Sequence, residues 1–206
     1  MKISLTNCGK RFNRDWIFRK FSYEFFPGQR YAITGPNGSG KSTLLQVIGG
    51  AIVTSEGVLS YEDGDAFKIS IEDAFRHISI AAPYLEVVEE MTLNEFLGFH
   101  QQFKPFLPGI TANETIRLCG LSSAADKQIR YFSSGMKQRV KLIQAVFSDV
   151  SCLLLDEPCT NLDSEGIELY QRLIHEFGNK RTIIVSSNDL QEYGFCENVL
   201  RMGDYK

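Results

Sequence analysis

The densest chemistry in the chain lies between Gly35 and Thr43. Gly35-Pro36-Asn37-Gly38-Ser39-Gly40-Lys41-Ser42, followed by Thr43, satisfies the pattern G-x-x-x-x-G-K-[ST] at every fixed position. Its glycines let the backbone curl so that successive N–H groups converge on an anion, and a helix starting there adds its dipole. Lys41 can set a point charge against β- and γ-phosphates, and the Ser42 hydroxyl can take one position on Mg²⁺. A second group lies far along the chain. Cys152-Leu153-Leu154-Leu155-Asp156-Glu157 reads as an apolar strand ending in two carboxylates. Beside a phosphate loop, Asp156 is suited to hold Mg²⁺ through water, and Glu157 to polarise a water aimed at the γ-phosphate.

These groups need a scaffold that brings strand ends and a helix start together. The loop has the right neighbours: a strand over Tyr31 to Thr34 before it and a helix over Ser42 to Gly49 after it. Phe21 to Phe26 alternates with period two and turns at Pro27-Gly28 into Arg30 to Thr34. Gly57 to Tyr61 and Phe67 to Ile71 flank Glu62-Asp63-Gly64-Asp65 as a hairpin tip. Thr92, with Glu95 three residues on, opens a capping box for a helix over Leu93 to Phe103. Thr111 and Glu114 repeat the pattern for a helix ending near Cys119. Ser134 to Phe147 is a third helix, with Val140, Ile143, Gln144 and Phe147 on one face. The last third returns to alternation: a strand over Cys152 to Leu155, a helix over Ser164 to Phe177 and a strand over Thr182 to Ser186. Alternating strands and helices predict an α/β fold with a mostly parallel sheet covered on both faces. The expected layout is one domain over 1–206, with a catalytic core at about 1–84 and 147–206 and a helical subdomain at about 85–146.

Composition narrows the function. With 22 Lys plus Arg against 25 Asp plus Glu, the net charge is −3. That gives no bulk attraction for nucleic acid or anionic lipid, and no nucleic-acid partner is expected. No apolar run approaches the ~18 residues of a membrane span. The start of the chain turns polar before a signal-peptide core could form, which predicts a cytoplasmic protein. Five scattered cysteines without a CxxC pair read as free thiols. His77, His100 and His175 read as structural.

The order of motifs resembles one family, the nucleotide-binding subunits of ABC transporters. Phe132-Ser133-Ser134-Gly135-Met136-Lys137-Gln138-Arg139 is similar to that family's LSGGQ signature and the basic helix after it. Asp156-Glu157-Pro158 follows closely, and Thr160-Asn161-Leu162-Asp163 resembles the D-loop. The resemblance implies a P-loop NTPase (RecA-like) core with a small antiparallel β subdomain and a helical insert. It implies ATP and Mg²⁺ as cofactors, a second copy of the subunit paired head to tail, and an integral-membrane permease as partner. The chain would then sit on the inner face of the membrane through that permease. Each ATP would lie between the phosphate loop of one subunit and Ser133, Ser134 and Gly135 of the other, with Asp163 nearby. Phe12 is the expected adenine-stacking aromatic, with Trp16 as its rival. The apolar stretch Phe96, Phe99, Phe103 and Phe106 is a candidate permease face, with core packing as the simpler role for most of it.

Three departures stand out. Ser134 replaces a glycine of the signature and Met136 its glutamine. No glutamine occurs in Ile78-Ser79-Ile80-Ala81-Ala82-Pro83-Tyr84, where the family places one near the metal, and Pro83 offers no polar side-chain atom. Asn188 stands where the family has its switch histidine; it can donate a hydrogen bond to the γ-phosphate without carrying a proton charge. Intact ATP binding with slow or partner-dependent hydrolysis follows. The competing expectations are a soluble ATPase of the same family and a nucleotide switch that dimerises but barely turns over. Short length and a compact insert resemble small single-cassette export ATPases, including the type used in haem export for cytochrome maturation.

Overall fold

The computed structural model describes residues 1–64 and 67–205. Asp65, at the expected hairpin tip, and the terminal Lys206 lie outside the described residues. Two long strands open the chain, β1 (Lys2–Phe12) and β2 (Asp15–Phe25), paired antiparallel. β1 alternates as a half-buried strand should, with Ile3 and Leu5 inward and Cys8 inward after a bulge. The Phe21–Phe26 alternation is therefore the second half of a longer strand. After β3 (Arg30–Thr34) and helix α1 (Lys41–Ile48) come β4 (Glu56–Glu62) and the short β5 (Lys68–Ile69). The hairpin forms, but its second strand is shorter than the sequence pattern suggests. Phe67 and Ile71 are exposed and stand outside it. The four strands order as β2-β1-β4-β5.

The second sheet adds β6 (Ile78–Ala81), β7 (Cys152–Asp156), β8 (Thr182–Ser186) and β9 (Asn198–Arg201) to β3, in the order β6-β7-β8-β3-β9. All its pairs are parallel. Every residue of β7 and β8 is buried, as parallel strands covered on both faces must be. Alternation sends the two faces to different cores. Leu153 and Leu155 join a core built with the helices, whereas Cys152 and Leu154 join a core shared with α1 and the antiparallel sheet. Tyr61 of β4 donates its hydroxyl to the Ile48 carbonyl at 2.9 Å, closing the end of α1.

The helices are α2 (Leu93–Phe103), α3 (Ala112–Leu118), α4 (Ser134–Val146), α5 (Ser164–Phe177) and the short α6 (Leu190–Tyr193). Thr92 and Glu95 form the complete capping box. At α3 the Thr111 cap is present, but Glu114 faces Arg117 at 3.7 Å. Phe147 is the C-cap of α4, one residue past its last helical position. Ser79 of β6 donates to the Ala145 carbonyl of α4 at 2.7 Å, tying helix to sheet. Arg181, buried and with no carboxylate among the described residues within ion-pair distance, gives its guanidinium to the Ser148 and Phe177 carbonyls at the ends of α4 and α5. The negative ends of two helix dipoles offset its charge. The five cysteines are free thiols.

His100 has the structural role expected of it. It is buried, and its Nε2 lies 2.9 Å from the Ser148 hydroxyl. That hydroxyl directs its one proton to the Gln144 carbonyl, so Nε2 carries the hydrogen and donates. Burial first, and then the charge of Lys104, hold the imidazole pKa down at about 4. An unfolded chain takes a proton at this residue below the ordinary value of about 6.5, and the folded chain does not. Stability therefore falls as pH drops from about 6.5 towards 4, by up to ~1.4 kcal/mol per pH unit from this group. Denaturant unfolding across that range should show a flatter pH dependence in His100→Gln than in the unaltered chain.

Candidate functional site

The phosphate loop sits at the C-terminal edge of the parallel sheet, between β3 and α1, as its sequence requires. Its backbone is open to anions because three glycines take left-handed conformations: Gly35 at φ 146°, Gly38 at 74° and Gly40 at 99°. Gly40 has a second reason to be glycine, since a Cβ there would stand 2.6 Å from the Ile17 side chain. Lys41 is buried, and its Nζ donates to the Gly35 carbonyl at 2.8 Å. The ammonium is thus already held over the loop. Ser39 is buried with a hydroxyl that has no partner among the described residues. Asn37 to Thr43, together with Ile17 and Glu157, line a pocket of about 320 Å³. Ile17 is a pocket residue that sequence reasoning missed, since nothing in its type distinguishes it from a core isoleucine.

Asp156 ends β7 at 1% exposure, and neither carboxylate oxygen has a hydrogen-bond partner among the described residues. The Ser186 hydroxyl on the neighbouring strand is likewise buried and unpartnered, and the register sets the two residues side by side. A buried, unpaired carboxylate costs several kcal/mol unless a cation or donors satisfy it. Hard oxygen donors at such a place fit a divalent cation. Glu157, exposed in the pocket, takes φ 42°, a left-handed conformation that costs a non-glycine residue on the order of 1 kcal/mol. Its N–H donates to the Ser186 carbonyl at 2.9 Å, and its carbonyl accepts from Thr160 N–H at 3.1 Å.

Asn188 meets the phosphate loop directly. Its Oδ1 accepts from the Gly35 N–H at 3.0 Å, so the donors of its amide are not used in that bond. The loop between Glu157 and α5 is held from the same side. Glu192 of α6, buried, accepts from Cys159 N–H at 2.6 Å. Burial raises the pKa of that carboxyl, offset by hydrogen bonds from Ser187 and Cys159. Glu192 is a supporting residue with no signal in the sequence beyond its nearness to Asn188.

Ser133, Ser134 and Gly135 lie elsewhere, lining a pocket of about 440 Å³ with Arg139, Asn161 and Asp163. It shares no lining residue with the phosphate-loop pocket. Ser133 caps α4, its hydroxyl accepting from Met136 N–H at 3.2 Å. A Cβ on Gly135 would come 3.0 Å from the Asn161 carbonyl, so glycine keeps the two loops in contact. Asp163 caps α5 through Gly166 N–H at 2.8 Å and faces Arg139 at 3.8 Å. Gln138 of α4 donates to the Pro158 carbonyl at 2.7 Å, joining the signature helix to the carboxylate loop.

Of the two aromatics, Phe12 is half exposed at the end of β1 under the Lys10 ammonium, 5.0 Å from the ring centroid. Trp16 is covered by the Arg19 guanidinium at 4.2 Å, which also pairs with Glu56. Neither lines the phosphate-loop pocket. Pro83 is exposed, its carbonyl accepting from Lys141 Nζ at 3.0 Å.

Comparison with known proteins gives these parts a family. Residues 18–160 match the family model described as "ABC transporter". The "Uncharacterized ABC transporter ATP-binding protein YybJ" of Bacillus subtilis is 29% identical over 97% of this chain and 92% of its own length. The "Cytochrome c biogenesis ATP-binding export protein CcmA" of Rhizobium meliloti is 29% identical over 95% of this chain and 94% of its own. The chain spans 61% of the "Sulfate/thiosulfate import ATP-binding protein CysA" of Mesorhizobium japonicum, at 28% identity. The fold is similar to that of the ATP-binding cassette MJ0796, solved as a dimer bound to ADP and Pi, with a TM-score of 0.82 at 23% identity, covering 97% of this chain and 93% of that one. With a complete phosphate loop, a carboxylate strand beside it and a family match over most of its length, the chain belongs to the ABC transporter family as an ATP-binding cassette.

Proposed function

We propose that the chain binds ATP with Mg²⁺ at the phosphate-loop pocket, hydrolyses it across a head-to-tail pair of copies, and so drives a separate membrane permease. The observation that carries this reading is Asp156, without a partner among the described residues at the same sheet edge as the loop, followed by Glu157 held in a strained conformation in the phosphate-loop pocket. Strain of that kind persists where the surroundings over-determine it, as at reacting centres. Loop N–H groups and Lys41 would bind the phosphates. Ser42 and Asp156 would hold Mg²⁺, which supplies charge neutralisation between the phosphates. Glu157 would orient the attacking water, and the Asn188 amide would donate to the γ-phosphate.

Two half-sites with no shared lining support an ATP bound between copies. Ser133, Ser134 and Gly135 of one copy would close on the nucleotide of the other, with Asp163 beside them. One nucleotide then contacts both copies, and loss of the γ-phosphate contacts releases them. Phe12 is the half-exposed aromatic offered to adenine; Trp16 is engaged by Arg19. Residues 85–146 form the helical subdomain of one domain spanning 1–206. Phe96 and Phe106 are buried in it, which leaves Phe99 and Phe103, stacked edge-on at 5.0 Å, as the exposed pair for the permease. Among the described residues no helix is long and apolar enough to cross a membrane. A permease would hold the chain at the inner membrane face and select the substrate. Relatives named for sulfate import and for cytochrome c biogenesis export fit that division of labour.

In Glu157→Gln, nucleotide affinity should stay within a few-fold while single-turnover hydrolysis falls by at least ~10²-fold, and ATP should shift the chain to a dimer in light scattering. Lys41→Ala should weaken ATP binding by about 100-fold by titration calorimetry. Gly135→Val should leave monomer affinity intact and abolish the ATP-dependent dimer. A dimer that forms equally in Gly135→Val would remove the head-to-tail reading. Asn188→Ala should slow hydrolysis by about tenfold with little change in ATP affinity, the loss of one donor to a developing charge. Rapid turnover that Asn188→Ala leaves unaltered would refute that role.

A further inference from the structure

Glu157 is followed by a proline, which has no N–H and restricts the residue before it. The first peptide group after the carboxylate that can be held at both of its polar atoms is therefore the one joining Pro158 to Cys159. It is held at both. Its carbonyl, on Pro158, accepts from Gln138 Nε2 of α4 at 2.7 Å. Its N–H, on Cys159, donates to Glu192 Oε1 of α6 at 2.6 Å. A trans peptide is one rigid plane whose C=O and N–H point in opposite directions, so two side chains from two helices grip it from opposite sides. Gln138 and Glu192 are 2% and 5% exposed, and water competes little for either bond.

Glu192 is itself pinned along its backbone. Its N–H donates to the Asp189 carbonyl at 3.0 Å, and its carbonyl accepts from the buried Tyr170 hydroxyl at 2.7 Å. Asp189 N–H is held by the Ser187 hydroxyl at 2.9 Å, and Asn188 between them accepts from Gly35 of the phosphate loop. The carboxylate is thus fixed to the phosphate loop through one short segment. A buried carboxylate is a costly way to fill space, but it accepts more strongly than a neutral group. The strain at Glu157 shows what that strength is used against. With Glu157 N–H bound to the Ser186 carbonyl, relaxation from φ 42° has to swing the chain that follows, and the Pro158–Cys159 peptide with it.

We propose that Glu192 is a positioning residue for hydrolysis: opposite Gln138 it clamps the Pro158–Cys159 peptide, and the clamp keeps the Glu157 carboxylate at its working place in the phosphate-loop pocket. This rests on the reading of Glu157 as the residue that orients the attacking water. Glu192 does not line that pocket and acts only through the peptide it holds.

The test is made on the full chain, with ATP affinity read by titration calorimetry and chemistry by single-turnover hydrolysis at saturating ATP. Glu192→Ala should slow hydrolysis by about tenfold through misplacement of Glu157 and leave ATP affinity within about twofold. Glu192→Met, which keeps the length without an acceptor, replaces it if the smaller residue does not fold. Glu192→Gln can still accept from Cys159 N–H and should restore the rate to within about threefold of the unaltered chain. Gln138→Leu alone should also cost about tenfold, and the double variant with Glu192→Ala should stay well short of the ~100-fold expected of independent sites, because both act through one peptide. Losses that multiply in the double variant would overturn the proposal. So would a fall in affinity that matches the fall in rate, or a Glu192→Gln as slow as Glu192→Ala. An unchanged Glu192→Ala beside a Glu157→Gln that no longer hydrolyses would remove the clamp and leave the reading of Glu157 standing. If Glu157→Gln hydrolyses normally, that reading fails first and the role of Glu192 falls with it.

Discussion

A single buried carboxylate organises this molecule. Asp156 closes a strand whose other residues are Cys152, Leu153, Leu154 and Leu155, with both faces of that strand sealed by separate cores. Such a position is among the least favourable for a charge, and no described side chain pairs with it. The fold sets that carboxylate at the C-terminal edge of the sheet, where the phosphate loop also follows β3. A cation held there with the nucleotide, as proposed, would relieve its unpaired charge and make binding at this edge favourable beyond the contacts the ligands make themselves.

The loops around Asp156 are cross-braced. Gly35 is tied to Asn188, Glu157 to Ser186, Cys159 to Glu192 and Pro158 to Gln138. The last bond matters most for coupling. Gln138 belongs to the helix that Ser133 caps, so a displacement of the Glu157 loop is passed to the signature end of the same chain. The phosphate-loop pocket and the signature pocket are separate cavities, yet one short segment, Glu157 to Asp163, borders both. If the nucleotide binds as proposed, a change at the phosphate-loop pocket would be passed to the signature pocket through packed and hydrogen-bonded groups of fixed geometry.

Much of this was legible before the structure. The phosphate loop, β7 with its two carboxylates, α2, α4 and α5 were readable because each couples a strong local signal, glycine spacing, apolar run or capping residue, to a period its surroundings do not contradict. Less legible were features set by distant residues. β1 is broken by bulges, so its alternation slips. Ile17 and Glu192 gain their roles from what folds against them. Glu114 has the spacing of a capping-box residue, but Arg117 one turn away competes for it. At Pro83 the sequence shows only a missing polar side chain, whereas the β6–β7 register brings that turn to the edge where β7 ends and Lys141 holds it through its backbone carbonyls.

The weak net charge follows from the same design. An anion as highly charged as ATP could be gathered by a basic surface, but such a surface would attract nucleic acid as well. On the proposed reading the anion-binding power would lie in the glycine-rich loop, whose Gly35, Gly38 and Gly40 take left-handed conformations, and in one buried ammonium, Lys41. These donors act at contact range and are directional, so they select a phosphate chain in the loop without creating a long-range field. The exposed basic groups around Trp16 are already engaged, Arg19 by Glu56 and the indole, Lys10 by the Val53 carbonyl and Phe12. A chain of net charge −3 can therefore bind a polyanion through local loop groups while its surface keeps a mixed sign.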